Sequence, residues 1–172
     1  MAPWHGLWQT PARLARGASR SLAVRRLVKT VSGIDPYAMS KPIKHSVAVL
    51  IRRGDRVLVL RRPDDDDELP GIWGLPAGSF RHSETLGDLI ERIGRDKLGV
   101  SLRPLRRLCE GGQDRPTYRL EMELWEVALI GEPGGATSEN WKWDSVDLLK
   151  PGRDSGSLCC ALALKSENRV SL

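Results

Sequence analysis

The stretch WGLPAGSFRHSETLGDLIERIGRDKLGV, from Trp73 to Val100, decides how the rest of the chain is read. Its second half carries the start and stop signals of one helix. Thr85 followed three residues later by Asp88 reads as a capping box, and Gly99 suits a left-handed C-terminal cap. Between them Leu86, Leu89, Ile90 and Ile93 recur at helical spacing and make one apolar side. Glu84, Asp88 and Glu91 form an acidic stripe facing roughly the opposite way, which reads as a solvated face. Gly94 sits in the helix interior at a cost of about 1 kcal/mol relative to alanine. The first half, Leu75–Phe80, predicts a short strand.

Upstream, His45–Arg53 and Arg56–Arg61 are β-rich runs around Gly54-Asp55, which predicts a hairpin. Pro63–Pro70 is an acidic loop holding Asp64, Asp65, Asp66 and Asp67 in a row. Such a run reads as a solvated loop more readily than as a metal cluster. Downstream, Leu102–Glu110 and Thr117–Ile130 predict strands. In the longer one Tyr118, Leu120, Met122 and Leu124 share a face. The apolar phase then switches to Trp125, Val127 and Leu129, which predicts a bulge near Leu124. Gly131–Glu139 reads as a loop, Trp141–Leu149 as a short strand and turn, and Ser157–Ser166 as a closing helix. The mixture places the fold class as α/β.

The 172 residues, 40% hydrophobic and 28% charged, suit one domain with a real core. No apolar run approaches the roughly 18 residues of a membrane span. Cys109, Cys159 and Cys160 show no metal spacing and make a poor disulfide framework; the expectation is reduced, buried thiols. The net charge of +5 is unevenly spread. Residues 1–44 hold eight of the 27 basic residues and one of the 22 acids, leaving 19 bases and 21 acids in the remainder. Basic character therefore belongs to a leader, residues 1–40, and nucleic acid is expected as a partner only through it. The leader reads as a disordered basic tail, as sequence preceding a start at Met39, or as a transit-like segment. The first two leave a cytoplasmic location. The third, over residues 1–38, directs the chain to a mitochondrion or plastid.

Gly78, Glu84, Arg92, Gly99 and Val100 carry the spacing G-x5-E-x7-R-x6-G-U, where U is a bulky aliphatic, and Trp73-x-Leu75-Pro76 precedes it. The pattern resembles the Nudix box, and the likeness extends over about Lys44–Ser166. It implies a Nudix domain over residues 41–172, folded as an α/β/α sandwich with a mixed β-sheet. It implies structural roles for Gly78, Glu84, Arg92 and Gly99, with Glu84 and Arg92 as a salt bridge tying loop to helix. It also implies hydrolysis of a diphosphate bond with magnesium as cofactor, held by helix carboxylates and a backbone carbonyl, here that of Ala77. The physical logic is that a diphosphate is densely anionic, so cleavage needs divalent cations that neutralise charge and orient water.

The chain departs from that pattern where the chemistry lies. The family's Arg-Glu-U-x-Glu-Glu is here Arg92-Ile93-Gly94-Arg95-Asp96-Lys97. Asp96 alone keeps a carboxylate; Ile93 cannot ligate, and Lys97 presents a cation where a cation should bind. Two readings follow. In the first, Lys97 replaces part of the metal's charge, and the domain binds a nucleotide or other diphosphate-containing ligand with little or no hydrolysis and no need of magnesium. In the second, it is a magnesium-dependent pyrophosphohydrolase of a nucleoside diphosphate linked to another moiety. That enzyme would use Asp96 with an outside carboxylate, Glu123 first among them, then Glu121 or Asp64–Glu68. Arg61, Arg62, Trp73 and Lys97 are the candidate ligand contacts. Trp125, Trp141 and Trp143 are expected in the core.

Overall fold

The computed structural model describes residues 41–134 and 141–170. The leader, and the end of the loop expected at Gly131–Glu139, lie outside the described residues.

Strand β1 (Ile43–Leu50) runs into Ile51 and a hairpin of β2 (Arg52–Arg53) and β3 (Arg56–Arg61). Arg53 pairs with Arg56 across the two-residue turn Gly54-Asp55, and Gly54 takes φ of 62°, the positive value such turns require. The expected strand at Leu75–Phe80 shortens to β5 (Ala77–Ser79), and a separate two-residue strand, β4 (Trp73–Gly74), precedes Leu75-Pro76. β4 pairs with β3 and β5 with β1, so the break transfers the chain from one sheet to the other. Helix α1 (Leu86–Leu98) follows, then the long strands β6 (Ser101–Asp114) and β7 (Arg119–Ile130), and β8 (Trp141–Asp144). A 3₁₀ turn (Val146–Leu149), the short helix α2 (Lys150–Asp154) and α3 (Leu158–Val170) complete the chain.

Among the described residues there are two four-stranded sheets. One has the order β5-β1-β7-β6; the other is β2-β3-β4 with β8 on β3. The first is mixed, because β1 lies parallel to β7 while its other pairs are antiparallel. Helices cover both sides. Val47, Val49 and Ile51 join Leu89, Ile90, Ile93 and Leu98 of α1 in one core. Ala48 and Leu50 face the other way, onto Cys159, Cys160 and Leu162 of α3. β1 is therefore a continuous apolar run, Val47 to Ile51 being at most 1% exposed. All three cysteines are buried and none forms a disulfide.

The bulge expected near Leu124 falls on the neighbouring strand. Pairing steps from Pro104↔Val127 to Arg106↔Glu126, and from Arg107↔Trp125 to Cys109↔Leu124, so the extra residues Leu105 and Leu108 belong to β6. β7 keeps unbroken register with β1 from Arg119 to Glu126. Its apolar phase switches because Leu120, Met122 and Leu124 feed the α3-side core, whereas Trp125, Val127 and Leu129 feed the α1-side core.

Candidate functional site

The site is built where β5 turns into α1. Thr85 caps the helix: its hydroxyl accepts from the Asp88 N–H at 3.2 Å, and Asp88 accepts from the Thr85 N–H at 3.1 Å. Gly99 closes the other end at φ 68°. Arg92 then ties helix to loop. Its Nε donates to Glu84 Oε1 at 2.6 Å, and its Nη2 donates to Glu84 Oε2 at 2.9 Å and to the Ser79 carbonyl at 2.8 Å. The Arg81 N–H adds a fourth bond, to Glu84 Oε2 at 2.9 Å. Gly78 permits the close approach of strand and helix, since a β-carbon there would lie 3.1 Å from Ile93 and 3.2 Å from Leu89.

The hydrogen bonds from Arg92 hold the Glu84 carboxyl down at about 2, from an ordinary 4.5. A carboxylate depressed in the folded state stabilises above its unfolded value and loses that contribution as pH falls through the folded value. We therefore expect acid to weaken the loop–helix tie between pH 4.5 and about 2. In Glu84→Gln the melting temperature is lower at neutral pH and falls less steeply across that window. Parallel pH profiles for wild type and variant would contradict this.

The acidic stripe of α1, read as a solvated face, is exposed at Asp88, but Glu84 and Glu91 are partly buried and serve as structural anchors. Besides Glu84 and Asp88, Glu91 accepts from the Ser101 hydroxyl at 2.9 Å and the Leu102 N–H at 3.2 Å, pinning the start of β6.

On the segment where a metal would sit, Ile93 is 1% exposed inside the α1-side core. Asp96 is exposed and pairs with its neighbour Arg95 at 3.3 Å. Lys97 is also exposed, yet the protein around it desolvates the ammonium, and that burial, followed by the charge of Arg62, lowers its pKa below the lysine range.

A cleft of about 310 Å³ is lined by Lys44, Arg62, Asp66, Glu68, Gly78 and Tyr118, among others, including Ala77; it reaches Gly78, which packs on Ile93, but Lys97 is not among its lining residues. Arg62 Nη1 donates to both oxygens of Asp66, at 3.0 and 3.2 Å. The Tyr118 hydroxyl donates to Glu68 at 2.9 Å, and Lys44 lies 5.2 Å from the Tyr118 ring centroid. Lys44 and Tyr118 escaped the sequence reading. They come from the edges of β1 and β7, and no spacing links either to Arg62.

The other candidates are dispersed. Arg61 pairs with Asp64 at 2.5 Å on the exposed side of the loop. Trp73 packs against the α3-side core, with Lys142 4.5 Å above its ring. Glu123 accepts from Trp125 Nε1 at 2.6 Å and Arg107 at 3.3 Å, and with His45, Phe80, Glu110 and Glu121 it lines a separate hollow of about 350 Å³. Among the described residues no group of three or more His, Cys, Asp or Glu is placed to hold a metal ion. A buried isoleucine, a lone exposed aspartate and an ammonium are a poor donor set for magnesium, which favours several oxygen ligands.

No family profile matches the chain. It is 30% identical over 122 residues to the NAD-capped RNA hydrolase NudC of Pseudomonas aeruginosa, covering 69% of this chain and 41% of that protein. To the protein of the same name in Stutzerimonas stutzeri it is 28% identical over 127 residues, covering 72% and 44%. The chain thus spans about two fifths of the length of these curated relatives. Among solved structures, the MutT protein of Methanosarcina mazei superposes with a TM-score of 0.66 at 17% identity, over 78% of this chain and all of that one. A NUDIX hydrolase of Nitrosomonas europaea superposes with a TM-score of 0.61 at 13% identity, over 75% and 90%. At those identities the likeness is one of fold. No helix among the described residues is long and apolar enough to cross a membrane.

Proposed function

We propose, from the premise that this chain belongs to the Nudix superfamily, that its cleft binds a nucleotide or another diphosphate-containing ligand and hydrolyses it little or not at all. The observation that carries this reading is the fate of the helix segment after Arg92. Ile93 is absorbed into the core, and Lys97 stands within electrostatic reach of Arg62. Arg62, Lys44 and Lys97 supply positive charge for a diphosphate without a metal ion. Nothing in the segment replaces the carboxylates that would hold magnesium and prepare water for attack, so binding is retained while the chemical step is lost.

The relatives are named NAD-capped RNA hydrolases, which makes NAD, ADP-ribose and ADP the first ligands to try. Isothermal titration of the full chain should give similar affinities for ADP with magnesium and with a chelator. Lys97→Glu should weaken binding about tenfold or more, the size of one lost charge-assisted contact. Since the charged ammonium attracts the anion, chelated binding should weaken as pH rises through the depressed Lys97 value, in a window that opens below 10.5. Magnesium-dependent turnover of any of the three that disappears in Asp96→Ala would overturn the proposal.

That result would favour the second reading, a hydrolase that recruits outside carboxylates. One observation speaks for it: Asp66, Asp67 and Glu68 line the same cleft as Gly78. Against it, Asp66 and Glu68 are already engaged by Arg62 and Tyr118.

A further inference from the structure

We propose that Asp66, in the acidic loop, is a positioning residue that holds Arg62 in the cleft, so that Arg62 and Lys44 face one anionic ligand together. The proposal deepens the diphosphate-binding reading and rests on it.

The structure treats the four aspartates unequally. Asp64, Asp65 and Asp67 are exposed, whereas the Asp66 side chain is 25% exposed. Asp66 Oδ1 accepts from the backbone N–H of Glu68 at 3.1 Å and of Leu69 at 2.9 Å, so a turn of the loop anchors the carboxylate. The loop is fixed in its turn. Leu69 is buried, Glu68 holds the Tyr118 hydroxyl, and the Gly71 N–H donates to the Pro63 carbonyl at 3.1 Å. The anchored carboxylate then takes Arg62 Nη1. A long guanidinium side chain loses much rotamer freedom when it grips a ligand; tethering it beforehand removes that cost. Asp66 engages Nη1 alone. The Nε–Nη2 edge, the planar fork that matches two phosphate oxygens, is not used by this pair.

Asp66 has a second effect. Lys97 lies within electrostatic reach of Arg62, and Asp66, which attracts both, offsets their mutual repulsion.

The test is a double-mutant cycle on the full chain, with inorganic pyrophosphate and ADP titrated calorimetrically in chelator. Asp66→Asn keeps an oxygen that can accept the two loop N–H groups and removes the charge. It should weaken pyrophosphate binding about tenfold, Arg62→Ala at least as much, and the double variant no more than Arg62→Ala alone. Losses that multiply would mean that Asp66 acts on the ligand by another route, and the proposal fails. Unchanged or tighter binding in Asp66→Asn also overturns it, the latter making Asp66 a competitor of the ligand. If Asp66→Asn does not fold, Arg62→Lys carries the test: it keeps the charge, loses the fork and should bind about tenfold more weakly, and wild-type affinity would overturn the proposal. Wild type that binds neither probe sinks the cleft reading and this inference together. Wild type that binds without coupling between Asp66 and Arg62 sinks the inference alone.

Discussion

Gly94→Ala is expected to destabilise the fold by about 2–3 kcal/mol, although alanine is the better helix former by about 1 kcal/mol. A β-carbon at position 94 would lie 2.6 Å from the Val100 carbonyl oxygen and 2.7 Å from Leu102 Cγ. The first obstacle is backbone and cannot rotate aside. The Val100 N–H donates to the Gly94 carbonyl at 3.3 Å, and Glu91 bonds Ser101 and Leu102, so helix and strand are stitched together at this point. Moving either strains those bonds. Gly87→Ala is the control: its β-carbon would meet only Thr85 Oγ1, at 3.8 Å, and the change should be neutral or stabilising by up to about 1 kcal/mol. Urea unfolding of both variants provides the comparison. A Gly94→Ala protein as stable as wild type would show that the helix has room to withdraw.

Ile93→Glu, which reinstates a carboxylate of the Nudix pattern, should cost at least about 4 kcal/mol. Ile93 packs with Leu89, Ile90 and Leu98 beneath Gly78, and at 1% exposure it has no water to solvate a charge. Against a total stability of about 5–15 kcal/mol for a typical domain, the variant stands close to unfolding at neutral pH. Burial would raise the new carboxyl's pKa, so the penalty is greatest above that value and shrinks as pH falls toward the unfolded one. The gap to wild type should therefore narrow between pH 8 and pH 5, while Ile93→Val loses only about 0.5–1.5 kcal/mol. An Ile93→Glu protein that is near wild type in stability and further stabilised by magnesium would mean the side chain had swung into the cleft. Lys97→Glu changes an exposed residue and should be tolerated. The double variant is informative about hydrolysis once its fold is established by circular dichroism.

Elements written in adjacent residues were legible without a structure. The hairpin at Gly54-Asp55 and the limits of α1 at Thr85 and Gly99 stand where turn and cap chemistry puts them. The split between β4 and β5 was not legible, because Leu75-Pro76 leaves one sheet for another only in the presence of both. α2 was missed for a similar reason. Its Gly152 is held close by Cys160 Sγ and the Trp73 carbonyl, 2.7 and 3.1 Å from where a β-carbon would stand. The apolar phase of β7 was read as a bulge because one strand cannot reveal that two helices cover different halves of its sheet. Gly94 was read as a cost to the helix, when the neighbouring strand leaves room for no other residue.

Local chemistry determined the secondary structure and the spacing that places Glu84, Arg92, Ile93, Asp96 and Lys97 on one loop and helix, because capping, turns and helical periodicity act over a few residues. Tertiary structure decided that Ile93 belongs to the core, that Glu123 lines a different hollow from Arg62, and that Arg62 is held by Asp66 near Lys97. Burial and charge–charge interactions depend on distance through space, and β1, the acidic loop, α1 and β7 share a neighbourhood only once the sheets have closed.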